Sequence, residues 1–328
     1  MLEGCRRPKV GPSVPLHHLP GQLTPSTVQR KAGRATAHRI ARWSRRPRTE
    51  AARSHVRRVD VFDAIADGRC ARGVPRLEGW IRTRSEVNML RSLLAGAELS
   101  MIRDYVSPAF FEVMPPRRLS AEARALARSR FQSSSVALRS LSSRLPPELR
   151  IGDAGLFRLD ADGRRRHGQR VLQLYFHQIY TQPTTFLDLR PERFAATAAQ
   201  TTWSPGWLRV TWDPAFIDAI QRLYRGFYTD DTAMFSDALS DLSLEAARDT
   251  FIRHFGGGDQ RSVRFEQAHF HQTFHQAFQA CAQESGRLHQ NFISLGLMLG
   301  CLYAHLEPLD LALDVRAAHD AALAAAGQ

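Results

Sequence analysis

The sequence predicts a mainly α-helical domain with a few short strands, preceded by a disordered basic arm. Three observations lead there. From about residue 80 onward, apolar residues recur with helical period. Helix boundaries are marked by a cap followed by proline, as at Asp213-Pro214, and by stops such as Pro146-Pro147 and Pro183. Alternating patterns are confined to two short runs.

The arm comes first. Residues 1–60 hold 14 of the 45 Lys/Arg and 3 of the 32 Asp/Glu, a charge of +11; the remaining 31 and 29 leave the body at only +2. Rich in Arg, Pro, Ser and His and poor in periodic apolar positions, the arm cannot bury enough surface to offset its ordering entropy. Contact with nucleic acid or an acidic partner is expected only through residues 1–60, with a solvated tail as the plainer reading. Arg6-Arg7 is not followed by the apolar stretch of an export signal, and scattered prolines spoil a transit-peptide helix.

Residues 61–328 read as one mainly helical domain, with a possible sub-boundary near 147–165. Ser85 caps a helix with Leu90, Leu93, Leu94, Ala97, Met101 and Tyr105 on one face, ending before Pro108. A second helix runs from about Ser120 to Pro146. LFRLDADG (156–163) gives a strand and an Asp-Gly turn, and a helix through VLQLYFHQIY stops before Pro183. GWLRVTW (206–212) alternates as one more strand. Asp213-Pro214 opens a helix with Phe216, Ile217, Ile220, Leu223, Tyr224 and Phe227 on one face. Asp231 and Ser243 serve as caps for the next two helices. Gly256-Gly257-Gly258 breaks the chain, helices follow at about 264–284 and 288–307, and an Ala-rich helix closes it.

FISLGLMLGCLYA (292–304) is about 20 Å long as a helix, short of a bilayer core of about 30 Å, and no transmembrane segment is expected. Gly296 and Gly300 suit close packing against a neighbouring helix. Cys5, Cys70, Cys281 and Cys301 form no CxxC pair, which predicts reduced thiols and a cytoplasmic setting.

Lysine occurs only at Lys9 and Lys31, so the body has none for a Walker A loop, a kinase strand lysine or a Schiff base. GxSxG, HExxH and GxGxxG are absent. HFHQTFHQAFQAC (269–281) raises a metal reading: His271 and His275 share a helix face, and Glu266 and His269 make an ExxH pair. The stripe Phe270, Phe274, Ala277, Phe278 and Cys281 lies between the two pairs, which therefore cannot converge on one ion. No metal or cofactor is assigned, although His177 and His305 on other helices could join such a site.

QIYTQPTTFLDLRPERF (178–194) resembles the catalytic-loop region of AarF/UbiB-type atypical kinases, where a helix ending Q-I-F leads to H-A-D-[LP]-H-P-G-N. Gln178-Ile179, Asp188 and Pro191 fall on matching positions. Asp213-Pro214 with LYRGFYTDD, and residues 287–311, resemble later helices of that family, so the likeness covers about 165–315. Phe186 and Arg190 stand where the family has histidines, Glu192 and Arg193 where it has Gly-Asn, and Ser204-Pro205-Gly206 where it has D-F-G. Phosphoryl transfer needs that asparagine and aspartate for metal and a lysine for the phosphates. The resemblance therefore implies a degenerate, non-catalytic relative, with Asp188, Arg190 and Arg193 in the remnant of a ligand cleft. The same stretch also fits an ordinary proline turn whose Asp188 and Arg190 make a surface pair worth under about 1 kcal/mol; a non-catalytic scaffold predicts that Asp188→Ala changes little beyond local loop order.

The expectation is a non-catalytic binding or scaffold protein, pseudokinase-like in ancestry. Two alternatives stand beside it: a carrier or enzyme with an apolar quinone-, lipid- or haem-like ligand among its aromatic helices, and a nucleic-acid-associated protein acting through the arm.

Overall fold

The computed structural model describes residues 108–155, 159–255, 262–284 and 286–327. All of them belong to one unit, Phe62–Gln328. The expected arm, the helix opened by Ser85 and the triple-glycine break lie outside the described residues.

The chain enters through two helices, α1 (Pro108–Val113) and α2 (Pro116–Ser129), then α3 (Ser135–Ser142) and the strand β1 (Leu149–Ile151). One helix from Ser120 to Pro146 was expected; the break at 130–134 divides it. The cause is the polar run Gln132–Ser135, where the Ser133 hydroxyl accepts from Ser135 N–H and pairs with the Ser135 hydroxyl, offering the backbone a local alternative to helix.

Of the strand and turn expected at 156–163, residues 156–158 lie outside the described residues, and the Asp-Gly turn is instead the start of the long helix α4 (Ala161–Thr181). Asp160 is its N-cap, accepting from Gly163 N–H at 2.7 Å, which places Asp162-Gly163 in the first helical turn. An Asp shortly before Gly serves a turn or a cap equally well. The buried face His167, Val171, Leu174, Tyr175 and Gln178 decides for the helix.

After α4 come β2 (Thr184–Phe186), a single 3₁₀ turn (Pro191–Arg193), β3 (Phe194–Ala196), β4 (Thr201–Trp203) and β5 (Arg209–Thr211). β2 pairs antiparallel with β5, while β4 lies between β1, parallel to it, and β3, antiparallel. Asp213 caps α5 (Pro214–Tyr228) as expected, its Oδ1 accepting from Ala215 and Phe216 N–H. Asp231 likewise caps α6 (Thr232–Asp241) through Met234 N–H.

Ser243 does something else. It takes a left-handed conformation (φ 57°) and closes α6: Leu244 N–H bonds back to Leu239 C=O and Ser243 N–H to Ser240 C=O. That 6→1 and 5→2 pair makes it a helix-ending residue rather than a cap for the next helix.

α7 (Arg248–Phe255), β6 (Ser262–Arg264), α8 (Gln267–Gln283), α9 (Phe292–Leu306), β7 (Ala312–Asp314, antiparallel to β6) and α10 (Val315–Ala326) complete the fold. α10 packs along α4, α6 along α5, and α8 against α1 and α9. The apolar stretch is longer than its sequence run: Phe292–Leu309 covers 18 residues at mean hydropathy 1.4, enough by length and composition to cross a membrane. Within the fold it is 78% buried, as a core helix is. At Gly296 a methyl would meet only Phe274, at 3.9 Å, so this glycine is not required for close packing.

Gly226 is required. A Cβ there would lie 2.6 Å from the backbone N of Phe235 and 3.0 Å from Asp231 C=O, so α6 can approach α5 only over a bare Cα. Gly226→Ala should force the two helices apart and cost about 1–3 kcal/mol, read as a lower urea midpoint at unchanged m-value.

Candidate functional site

Pro183 cannot extend α4, and Gln178 fixes where the chain goes next. The Gln178 carbonyl oxygen accepts from Phe186 N–H at 2.9 Å, and its amide nitrogen lies 3.4 Å from Phe186 C=O. β2 is thereby pinned to the helix it has just left. Leu187 N–H donates to Leu208 C=O, and the chain crosses through Asp188 and Leu189 into the 3₁₀ turn. The β3–β4 hairpin then returns it: Phe194 faces Trp203 in register, and the Trp203 indole N–H donates to Asp188 C=O at 3.2 Å. Ser204 N–H donates to Arg193 C=O at 2.7 Å, and a Cβ on Gly206 would sit 3.4 Å from Asp188 Oδ2. Positions 188, 193 and 204–206 thus meet in space.

Asp188 is buried at 1% exposure. Arg190 grips it with both arms of the guanidinium, Nε to Oδ1 and Nη2 to Oδ2, each at 2.8 Å. Arg193 Nε donates to Oδ2 at 2.7 Å, and Arg190 N–H adds a contact to Oδ1 at 3.3 Å. Burial alone would raise the carboxyl's pKa; the hydrogen bonds from Arg190 and Arg193 more than offset it, and the pKa ends below its ordinary value. The same bonds push the Arg190 guanidinium up. Asp188, Arg190 and Arg193 therefore come together as the sequence placed them, but the expectation of a solvated surface pair is corrected. The loop is packed beneath Trp203 and Phe194, so a buried carboxylate is held by two half-buried guanidinium groups.

Next to it runs a buried chain of histidines. His305 Nδ1 lies 2.7 Å from Leu189 C=O, His305 Nε2 lies 2.9 Å from His167 Nε2, and His167 Nδ1 lies 3.1 Å from the Thr201 hydroxyl. A carbonyl only accepts, so His305 carries its proton on Nδ1 and accepts at Nε2. His167 must then donate from Nε2 and accept from Thr201. Both rings are neutral, and one hydrogen-bond direction runs from β4 through α4 and α9 to the Asp188 loop. Burial lowers both pKa values, with Arg170 acting further on His167 and the His167 ring on His305. His305 thus belongs with His167, not with the α8 histidines.

Those histidines flank the phenylalanine stripe as the sequence indicated. Phe270, Phe274, Ala277, Phe278 and Cys281 are buried, while His269, His271 and His275 are half-buried. Among the described residues, no three His, Cys, Asp or Glu side chains are grouped so as to hold a metal ion.

The sequence reading did not single out Glu122, and it named His177 only as a possible partner for the α8 histidines. Glu122 on α2 is 2% exposed and accepts from the Ser294 hydroxyl and from Asn291 Nδ2 at 3.2 Å; burial raises its pKa against those bonds. His177 is 1% exposed, with neither ring nitrogen hydrogen-bonded among the described residues. Its pKa is lowered to about 4 by burial and by Arg144. Position was the available signal: Glu122 shares a helix face with Leu119, Ala123 and Leu126, a charge where only apolar groups are expected.

Compared with known proteins, the chain matches no family model and no curated protein. The aromatic helices fill their own core. The apolar cavities beside Phe274 and Tyr224 and between Phe176 and Tyr303 measure about 20 and 30 Å³. At roughly 10–15 Å³ per water, these two have the space of one to three waters, too little for an organic ring.

Two measurements check this site. Asp188→Ala leaves two partly buried guanidinium groups without their counter-charge, and should cost about 2–3 kcal/mol in chemical denaturation rather than the small change a surface pair would give. The neutral histidines make the fold acid-labile. With folded pKa values below the ordinary 6.5, the unfolded chain binds more protons, so stability is full above about pH 6.5 and falls as pH drops toward 4. Each histidine contributes up to about 1.4 kcal/mol per pH unit in that window. Melting temperature should decline between pH 6.5 and 4.5 and decline less steeply in His305→Gln; a flat profile would contradict the neutral assignment.

Proposed function

We propose that this chain is a non-catalytic binding or scaffold protein descended from an AarF/UbiB-type kinase, its catalytic loop converted into a structural ion triad. The observation that carries the reading is the occupancy of Asp188: both carboxylate oxygens are taken by guanidinium N–H groups. A kinase loop needs that carboxylate free for a substrate hydroxyl, with metal held nearby by asparagine and aspartate. Here Arg193 replaces the asparagine and Ser204 the aspartate. A guanidinium beside Oδ2 repels a divalent cation where the family's chemistry requires one.

Kinship is supported by the convergence of positions 188, 193 and 204–206, which the resemblance aligns with the catalytic loop and the D-F-G segment. Gln178 adds to it by clamping Phe186, the position of the motif's first histidine. The small cavities favour this reading over a carrier of quinone or haem. A cytoplasmic setting belongs to the proposal: Cys281 and Cys301 are buried outside any disulfide, and burial pushes their thiols up to about 11 and about 12, which keeps them protonated.

Calorimetry and thermal melting of the full chain with millimolar Mg·ATP test the reading. No heat of binding and no shift in melting are expected, whereas a nucleotide at a hundred times its Kd would add about 2.7 kcal/mol of stability. A saturable, magnesium-dependent shift would overturn the proposal.

A further inference from the structure

Residues 116–144 contain seven arginines and a single acid, Glu122. That acid is buried and occupied by Ser294 and Asn291, so it neutralises nothing outside. Arg118 and Arg144 turn to backbone carbonyls, of Leu288 and Thr181. The other five, Arg117, Arg124, Arg128, Arg130 and Arg139, are exposed and pair with no carboxylate among the described residues.

At the corner between α2 and α3, Phe131 is 87% exposed and Val136 71%. The corner is held in place. Arg209 Nη2 donates to Gln132 C=O at 2.7 Å, the Ser129 hydroxyl bonds to Leu126 C=O, and the Arg130 guanidinium lies over the Trp207 ring at 5.7 Å. A fixed backbone therefore presents two large apolar side chains to water within a stretch whose five exposed arginines have no carboxylate partner among the described residues.

We infer that this corner docks on an anionic lipid bilayer. The occupant must bring negative charge, which rules against the chain's own residues 1–60 at +11. It must also offer an apolar phase. A bilayer surface supplies both, headgroups to the arginines and the acyl boundary to Phe131 and Val136. Nucleic acid would meet the arginines and could stack on Phe131, but it leaves Val136 in water. The surface is independent of the Asp188 loop, since neither Arg190 nor Arg193 takes part.

The test uses full-length Phe131→Trp, with Val136→Trp as a second probe, mixed with phosphatidylserine–phosphatidylcholine vesicles carrying acyl-chain bromines. The added tryptophan emission should shift to the blue and be quenched. Arg128→Gln/Arg130→Gln/Arg139→Gln should weaken vesicle binding about a hundredfold, at roughly a factor of five per arginine. Three results would overturn the inference: vesicle binding with both added tryptophans unquenched, which assigns the contact to the arm; equal binding to uncharged vesicles; or binding of RNA in place of vesicles, lost in the arginine variant.

Discussion

A carboxylate removed from water needs counter-charge, and Asp188 obtains it from its own loop. Arg190 lies two residues on along an extended run and so projects to the same side. Arg193 is swung back by the 3₁₀ turn that Pro191 opens. Because both partners are local, the carboxylate lies under Trp203 and against α9 with its counter-charge beside it, and no uncompensated anion enters the core. A loop built to receive a metal and a substrate would leave those oxygens open until they arrive. This one closes them with covalently tethered cations, and the geometry of β2, β3, β4 and β5 is organised around that closed state.

The same accounting governs α9. Its middle is apolar enough for a bilayer, but both ends carry buried polar locks. Near the N-terminus, Asn291 and Ser294 receive Glu122 from α2, and Asn291 Oδ1 accepts from Asp213 N–H, tying in the start of α5. A carboxyl there also lies at the favourable end of the helix dipole. Near the C-terminus, His305 joins α4, β4 and the Asp188 loop through one unbroken hydrogen-bond direction. An apolar helix could slide or rotate against apolar neighbours at little cost. Directional bonds at each end fix its register, and with it the wall behind the candidate site.

The helices around Asp213-Pro214, Asp231 and the Pro183 stop were legible because capping and termination are local chemistry. The stripe on α8 and the strand near Val210 were legible because burial imposes a period on one element at a time. Asp160-Ala161-Asp162-Gly163 misled because the same side-chain oxygen can close a turn or open a helix, and only the buried face of α4 separates the two. Ser243 misled for a related reason: serine is common at helix starts, yet here Leu244 bonding back to Leu239 holds it left-handed. Asp188, Arg190 and Arg193 could be read as a group, but not as buried, since what covers them comes from Trp203 and α9. His167 and His305 stand 138 residues apart. No spacing rule reaches across that distance, although each lies on the apolar face of its helix, where an unpaired imidazole would be costly.

Net charge proved a poor guide to field. The body's +2 averages a basic stretch at 116–144, seven arginines against Glu122, with an acidic one at 213–249, eight Asp/Glu against three arginines. At physiological salt a charge is felt over about 8 Å, so a ligand or surface meets one stretch at a time and never the sum. Phe131 and Val136 lie within the positive stretch, so a surface that meets those side chains meets its arginines too. Basicity in this protein is therefore a property of residues 116–144 as well as of residues 1–60.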